Sequence, residues 1–141
     1  MKLVVDASVA IKWMIEEQDS ALADRLLDGA HDFLAPELIV AEIISAAWKQ
    51  RRHGAIDDAQ YEDIVIRIAD GPIDCRPLRP LIRRAAALAR ELDHPIYDCL
   101  YLALVEAENA PMVTANRRLI AAVRGTALAG RVTLLGQSAA R

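Results

Sequence analysis

Aromatic side chains are scarce in this chain: they make up 4% of its 141 residues, although 54% of the residues are hydrophobic. The core must therefore be built from leucine, isoleucine, valine and alanine, which suits helices packed closely on a sheet. The chain has the length of one domain and contains no internal repeat, low-complexity tract or Gly/Ser-rich linker. We therefore expect a single domain over residues 1–141.

Long apolar runs are also missing. No stretch reaches the roughly 18 uncharged residues that a membrane-spanning helix needs. The N-terminus shows no signal-peptide cleavage pattern and runs directly into an apolar segment typical of a strand. We expect a soluble, cytoplasmic protein that has no membrane partner.

Cysteine and net charge exclude little. Cys75 and Cys99 do not form a C-x-x-C pair, so we expect two buried, reduced thiols and no thiolate metal site. The formal net charge of −3 is compatible with nucleic-acid binding, because acidic residues can hold metal ions while basic residues lie elsewhere on the surface.

Short apolar segments alternate with helical patterns along the whole chain. We predict strands at residues 2–5, 32–35, 73–76, 112–115 and 132–135. We predict helices at residues 8–16, 20–29, 36–52, 57–69, 81–92, 96–109 and 117–124, the third beginning at Pro36 and the fourth capped by Asp57 or Asp58. This alternation is the signature of an α/β domain with a mainly parallel central sheet flanked by helices. Sites in such sheets form just beyond the carboxyl ends of the strands.

Three carboxylates stand alone in apolar surroundings. Asp6 is the only charged residue between Leu3 and Ile11. Glu42 is the only one in residues 38–48, and Asp98 the only one in residues 96–105. Because an isolated carboxylate is costly to bury, each of these three requires compensation.

Each carboxylate also has an ordinary explanation. Asp6 could cap the following helix, Asp98 could favour a helix N-terminus through the dipole, and Glu42 could share a solvated stripe with Ser45. No lysine or arginine lies in the same apolar runs, whereas a divalent cation would neutralise all three carboxylates together. Both explanations remain open at this point.

Four sequence blocks resemble PIN domains, in particular the VapC-type toxins of bacterial toxin–antitoxin pairs. They are VVDASVA at residues 4–10, APEL at 35–38 followed by Glu42, YDCLYLAL at 97–104, and VTANRRL at 113–119. The third block is the most specific, and the blocks follow one another in order from the first strand to the fourth, at spacings similar to those of the family. The resemblance implies a PIN-like α/β domain and cleavage of RNA phosphodiester bonds that depends on Mg²⁺ or Mn²⁺.

The resemblance also implies the site residues. The first three acidic positions of the family fall on Asp6, Glu42 and Asp98, which would be catalytic, with Asp6 and Asp98 holding the metal. The fourth acidic position falls on Asn116, which keeps an oxygen but loses the charge. This departure favours one firmly held ion over two and leaves open a weakened enzyme, and Asn116 could equally be a helix N-cap.

The mechanism that we expect uses a water molecule activated by the ion and oriented by Glu42. Ser8 would support the site by donating a hydrogen bond to Asp6 or to a water on the metal, or it could be a plain hydroxyl at a helix start.

Tyr97 and Tyr101 could stack on bases, although packing in the core or between subunits is the simpler expectation. The candidate RNA-binding cations are Arg117 and Arg118, which we prefer, Lys49, Arg51 and Arg52, and Arg83 and Arg84.

The resemblance implies two protein partners, a second copy of the chain and a cognate antitoxin. We expect a homodimer surface on the apolar early segment, residues 9–15.

Two rival functions remain. A phosphatase-like enzyme would also use an aspartate after its first strand, but Ser8 occupies the place of its usual second aspartate. A PIN-like domain that binds RNA or a partner without cutting is the other, with Asn116 as the observation that favours it.

Overall fold

The computed structural model describes residues 1–137, in which the strands and helices alternate as the sequence indicates. The strands are β1 (Lys2–Val5), β2 (Asp32–Pro36), β3 (Ile73–Arg76), β4 (Met112–Thr114) and β5 (Val132–Leu134). The helices are α1 (Ala7–Ala10), α2 (Ser20–Leu27), α3 (Leu38–Arg52), α4 (Asp58–Asp70), α5 (Arg79–Leu92), α6 (Ile96–Glu108) and α7 (Arg117–Val123). Short 3₁₀ turns lie at Ile11–Trp13 and Ala129–Arg131.

All five strands are parallel and form one sheet in the order β3-β2-β1-β4-β5. The chain builds outwards from β1 in one direction through β2 and β3, and in the other direction through β4 and β5. The order therefore reverses between β1 and β4, which is where sheets of this kind are expected to form a crevice at the carboxyl ends of their strands. The expected α/β architecture with a parallel sheet is confirmed.

Helices cover both faces of the sheet. Alternate residues of β1 point to opposite faces, so that Val4 belongs to a large core with α3, α5 and α6, while Leu3 and Val5 belong to a smaller core beside α2. The large core is aliphatic, as the composition predicts. Both cysteines are free thiols, and Cys99 is buried in the large core.

The expected helix start at Pro36 is wrong. Pro36 is the last residue of β2 and pairs with Arg76 of β3, and the backbone N–H of Glu37 donates to the Arg76 carbonyl at 2.8 Å. A proline has no N–H to offer a sheet, so the end of a strand is a place where it is tolerated. Helix α3 begins two residues later, at Leu38.

The expected helix over residues 8–16 is also wrong in form. Helix α1 ends at Ala10, and the backbone tightens into a 3₁₀ turn in which the Met14 N–H donates to the Ile11 carbonyl at 3.0 Å. The Lys12 ammonium then donates to the backbone carbonyl of Gln18 at 2.8 Å, which holds the following loop back against this turn.

The prediction that Asp57 or Asp58 caps the fourth helix is confirmed for Asp57. Asp57 caps α4 in a complete capping box, in which its side chain accepts from the Gln60 N–H and the Gln60 side chain accepts from the Asp57 N–H. Helix α5 starts two residues earlier than predicted and includes Pro80 in its first turn, where the missing N–H needs no partner.

The early segment is only partly buried. Val9, Ile11 and Ile15 lie within the chain's own cores, whereas Trp13 and Met14 remain partly exposed. The homodimer surface expected on residues 9–15 stays a prediction, limited to these partly exposed side chains. Within residues 1–137, no helix has the length and apolar character needed to span a membrane.

The large core predicts where a truncation is destabilising. Leu102 on α6 is fully buried, so Leu102→Ala leaves a cavity and should lower the free energy of unfolding by about 2–5 kcal/mol. Ile66 on α4 is 61% exposed, so Ile66→Ala should change it by less than about 0.5 kcal/mol. Urea unfolding of the two variants checks the expectation, and equal effects would contradict the assignment of α6 to the core.

Candidate active site

The three isolated carboxylates meet at the crevice between β1 and β4. Asp6 follows the last residue of β1, and α6, which leads into β4, starts at the same edge and carries Asp98 in its first turn. Helix α3 follows β2, the other neighbour of β1, and carries Glu42 in its second turn. The parallel topology therefore brings together residues that are far apart in the sequence.

Asp6 is buried, with 5% of its surface exposed, and both of its carboxylate oxygens accept hydrogen bonds. Oδ1 accepts from the Ser8 hydroxyl at 2.5 Å and from the Val9 N–H at 3.3 Å, and Oδ2 accepts from the Thr114 hydroxyl. The Ser8 oxygen in turn accepts from the Ala115 N–H at 3.0 Å. Ser8 thus joins Asp6 to the end of β4, in the supporting position expected of it.

Glu42 is half-buried and is held by a tyrosine of the neighbouring helix. Its Oε1 accepts from the Tyr101 hydroxyl at 2.6 Å, and Tyr101 itself is only 1% exposed. Burial, together with the nearby Glu42 charge, raises the pKa of Tyr101 well above its ordinary value of 10.0, so the phenol keeps its proton and acts as a donor.

Asp98 has two neighbours at the same oxygen. Its Oδ2 lies 2.7 Å from His94 Nε2 and accepts from the Asn116 side-chain amide at 3.3 Å. Asn116 Oδ1 meanwhile accepts from the Arg118 N–H at 3.0 Å and caps α7. The Arg118 N–H can only donate and the Asp98 carboxylate can only accept, so together they fix which side of the Asn116 amide carries the oxygen and which carries the NH₂ group.

The electrostatics of the cluster are unfavourable. Burial raises the pKa of Asp6 above its ordinary value of 3.8, the hydrogen bonds from Ser8, Thr114 and Val9 lower it, and the Asp98 charge raises it further. Burial likewise raises the pKa of Glu42 above 4.5, against the hydrogen bond from Tyr101, and the charges of Asp6 and Asp98 add to the rise. The three carboxylates are therefore close enough to repel one another.

No ion pair within residues 1–137 joins Asp6 or Glu42 to a basic side chain, and Asp98 pairs only with His94. The donor set of hard carboxylate oxygens without a cation fits Mg²⁺ or Mn²⁺, which take a few carboxylates and complete their shell with water and substrate phosphate. In the part of the chain that the structure describes, no three His, Cys, Asp or Glu side chains are already arranged around one metal position. The carboxylates are turned towards their hydrogen-bond donors instead.

Three residues of the site were not assigned to it from the sequence. Thr114 stands in the fourth block without an assigned role, the sequence indicates core packing or base stacking for Tyr101, and no site role is assigned to His94. For Thr114, its position as a polar residue at the end of an apolar strand was a signal that could have placed it in the site. The contact of Tyr101 with Glu42 depends on tertiary packing, which the sequence does not state. The contact of His94 with Asp98 is local, and the spacing of four residues was the signal that could have indicated it.

The candidate RNA-binding cations differ in their surroundings. Arg117 and Arg118 are exposed at the start of α7, directly after Asn116. Arg51 pairs with Asp58, and Arg84 pairs with Glu106 and Glu91, so their charges are already partly neutralised. The exposed cations beside the carboxylates are therefore better placed than Arg51 or Arg84 to meet a phosphate.

Comparison with known proteins identifies the relatives of this chain. The model of the PIN domain family matches residues 3–125. Ribonuclease VapC3 of Pyrobaculum aerophilum is 26% identical over 121 residues, which cover 84% of this chain and 92% of that protein. Ribonuclease VapC12 of Mycobacterium tuberculosis is 30% identical over 117 residues, which cover 83% of this chain and 88% of that protein.

A solved structure supports the fold independently. A chain of the toxin–antitoxin complex from Klebsiella pneumoniae superposes with a TM-score of 0.65 at 17% identity, covering 88% of this chain and 94% of that chain. At this level of identity the likeness concerns the fold alone.

The raised pKa values predict how pH acts on the metal-free protein. The folded state holds protons on Asp6 and Glu42 at pH values where the unfolded chain has released them, so folding is favoured at low pH. In EDTA, this contribution to the free energy of unfolding should fall as pH rises from the ordinary values of 3.8 and 4.5 through the raised ones. The difference between the wild type and Asp6→Asn in urea unfolding isolates the Asp6 part of this contribution. A pH-independent difference would contradict the prediction.

Asn116→Asp should destabilise the metal-free protein and strengthen its response to metal. The change removes the amide donor to Asp98, worth about 1 kcal/mol, and adds a negative charge beside the carboxylates. Melting temperatures with EDTA and with Mn²⁺ measure both effects. Asn116→Ser is the matched control, because it keeps a capping oxygen without adding charge. Equal responses to Mn²⁺ in the two variants would show that the charge at this position does not reach the metal.

Proposed function

The chain belongs to the PIN domain family, and from this premise we propose that it is a ribonuclease that uses Mg²⁺ or Mn²⁺ to hydrolyse RNA phosphodiester bonds. The observation that carries the proposal is the cluster of Asp6, Glu42 and Asp98 at the switch point of the sheet, with no basic side chain to neutralise Asp6 or Glu42 within the described residues. The names of two relatives, both called ribonucleases, support it.

Asp6 and Asp98 would hold the ion. Asp98 Oδ2 is engaged by His94 and Asn116, while its Oδ1 accepts no hydrogen bond within residues 1–137 and is available as a ligand. The ion would lower the pKa of a water molecule and offset the negative charge that develops on the scissile phosphate.

The protein's own groups would position the reactants. Tyr101 holds one oxygen of Glu42 and leaves the other to orient the attacking water and accept its proton. Ser8 and Thr114 hold Asp6 from two sides and fix its orientation. Arg117 and Arg118 would contact the RNA backbone beside the site, with the salt-dependent affinity expected of phosphate contacts.

A second candidate function follows from Asn116. At this position the family's usual acidic residue is missing, and the amide group turned to Asp98 supplies no negative oxygen to a metal. This observation favours a catalytically weakened PIN-like domain that binds RNA or a partner protein. Turnover distinguishes the two functions, whereas metal binding does not, because a non-cutting domain can still hold an ion.

We further propose that the protein is the toxin of a toxin–antitoxin pair, acts in the cytoplasm and forms a homodimer. The VapC names of its relatives and the Klebsiella pneumoniae toxin–antitoxin complex support an antitoxin partner. An antitoxin that covers the carboxylates with a basic side chain would supply the positive charge that Asp6 and Glu42 lack. Val9, Ile11 and Ile15 are buried, so from this segment only partly exposed side chains such as Trp13 and Met14 would contribute to a dimer surface.

The first test is incubation of the purified protein with total cellular RNA in Mg²⁺, in Mn²⁺ and in EDTA. We expect discrete fragments only with metal, and a loss of cleavage of more than about 100-fold in Asp6→Asn and Asp98→Asn, because each removes a ligand charge. The control is Asp63→Asn, an exposed carboxylate on α4. Circular dichroism confirms folding. Undiminished cleavage in both site variants would falsify the assignment, and intact RNA throughout would favour the non-cutting domain.

A further inference from the structure

A cleft of about 450 Å³ opens beside the carboxylates, between α3 and the first turn of α6. One wall is a single face of α3 that carries Glu42, Ser45 and Lys49, and the other wall carries Tyr97. Because Glu42 belongs both to this cleft and to the carboxylate cluster, the cleft continues directly from the candidate active site.

Tyr97 is the exposed aromatic of this cleft. It immediately precedes Asp98 and is 60% exposed, whereas Tyr101, one turn later, is buried and bonded to Glu42. The two tyrosines therefore do different things, although four residues separate them. An exposed ring at the mouth of a cleft, in a chain with few aromatic residues, offers a flat surface to a planar ligand.

Lys49 provides positive charge at the far end of the same wall. It lies seven residues, or about 10 Å, along α3 from Glu42 and is exposed. Its ammonium forms no ion pair within residues 1–137, in contrast to Arg51, which pairs with Asp58. A cation that no carboxylate engages, two turns away from the acidic centre, is suited to an anionic group of a ligand that extends from the site.

We propose that this cleft is a nucleotide subsite of the RNA substrate, in which Tyr97 stacks on one base and Lys49 contacts a neighbouring phosphate. An aromatic ring combined with a cation is the usual means of holding single-stranded RNA without reading its sequence. The inference rests on the proposed ribonuclease function, and it assigns a role to the cleft that the carboxylates themselves do not require. The acidic centre repels phosphates, so a strand needs contacts of this kind on its flanks.

The test measures binding separately from cleavage. In the non-cleaving Asp6→Asn background, the dissociation constants of oligoadenylate and of an equally long abasic ribose-phosphate oligomer are measured by fluorescence anisotropy. We expect Tyr97→Ala to weaken oligoadenylate binding by about 5- to 100-fold and to leave binding of the abasic oligomer unchanged. Tyr97→Phe should restore oligoadenylate binding, because it keeps the ring. Trp48→Ala removes an exposed aromatic of α3 that does not line this cleft, so it is the control and should have no effect.

Lys49→Ala should act differently from Tyr97→Ala. We expect it to weaken both oligomers and to reduce the slope of log affinity against log salt concentration by about one, as the loss of one phosphate contact does. Arg25→Ala on α2, which removes an exposed cation that does not line the cleft, should leave the slope unchanged.

The outcomes separate the subsite from the proposed function. Equal losses on the base-containing and abasic oligomers, no loss on either, or no RNA binding at all would overturn the subsite. A shift in oligomeric state by light scattering in Tyr97→Ala, with RNA binding intact, would assign the cleft to contact between copies of the chain and would also overturn it. If the protein cleaves total RNA but Tyr97→Ala binds RNA as the wild type does, the ribonuclease proposal stands and the subsite proposal is overturned. If Tyr97→Ala loses base-dependent RNA binding but the protein cleaves no RNA, the subsite proposal stands and the ribonuclease proposal is overturned.

Discussion

The burial of Asp6 between the ends of β1 and β4 is the constraint on which the rest of the site depends. A carboxylate with 5% exposure must be compensated, and here two hydroxyls and one backbone N–H provide hydrogen bonds without providing charge. Hydrogen bonds from neutral groups fix the orientation of Asp6 but leave its pKa raised. The site is therefore ordered and at the same time electrostatically incomplete, which is the state expected of a centre that receives a cation.

The same incompleteness extends to α3 and α6. Glu42 is held by Tyr101 of α6, and Asp98 of α6 is held by Asn116 after β4, so the carboxylates tie three elements together through their donors. Each donor takes one oxygen and leaves the other open at Glu42 and at Asp98. Rigid helices carry both residues, so the open oxygens are supported by packed core and not by a loop. Precision at the site is thus a product of the fold around it.

Much of the fold followed from the sequence, and so did the candidate carboxylates. Two strands, β1 and β3, have the predicted bounds, β1 because it is a short apolar run that ends at Asp6 and β3 because prolines flank it at positions 72 and 77. Pro36 was misplaced because a proline is acceptable both at a helix start and at a strand end, and only pairing with β3 decides between them. Tyr101 was not placed in the site because its partner Glu42 lies on another helix. His94 was not placed there because it lies before α6 begins, although its partner Asp98 is only four residues away. Lone charges in apolar runs could be recognised from the local sequence, and so could the nearby donor Ser8, but the donors Thr114 and Tyr101 on distant elements could not.

The side chain of Asn116 makes two contacts that belong to the two interpretations of this residue. Its oxygen caps α7, while its amide donates to Asp98 of the candidate site. Capping alone does not explain an asparagine, because aspartate caps a helix equally well. What aspartate lacks is the donor. The amide therefore matters through Asp98, where it replaces the repulsion of a fourth carboxylate by a hydrogen bond. A site built in this way needs less positive charge than one with four acids, and that difference favours a single ion.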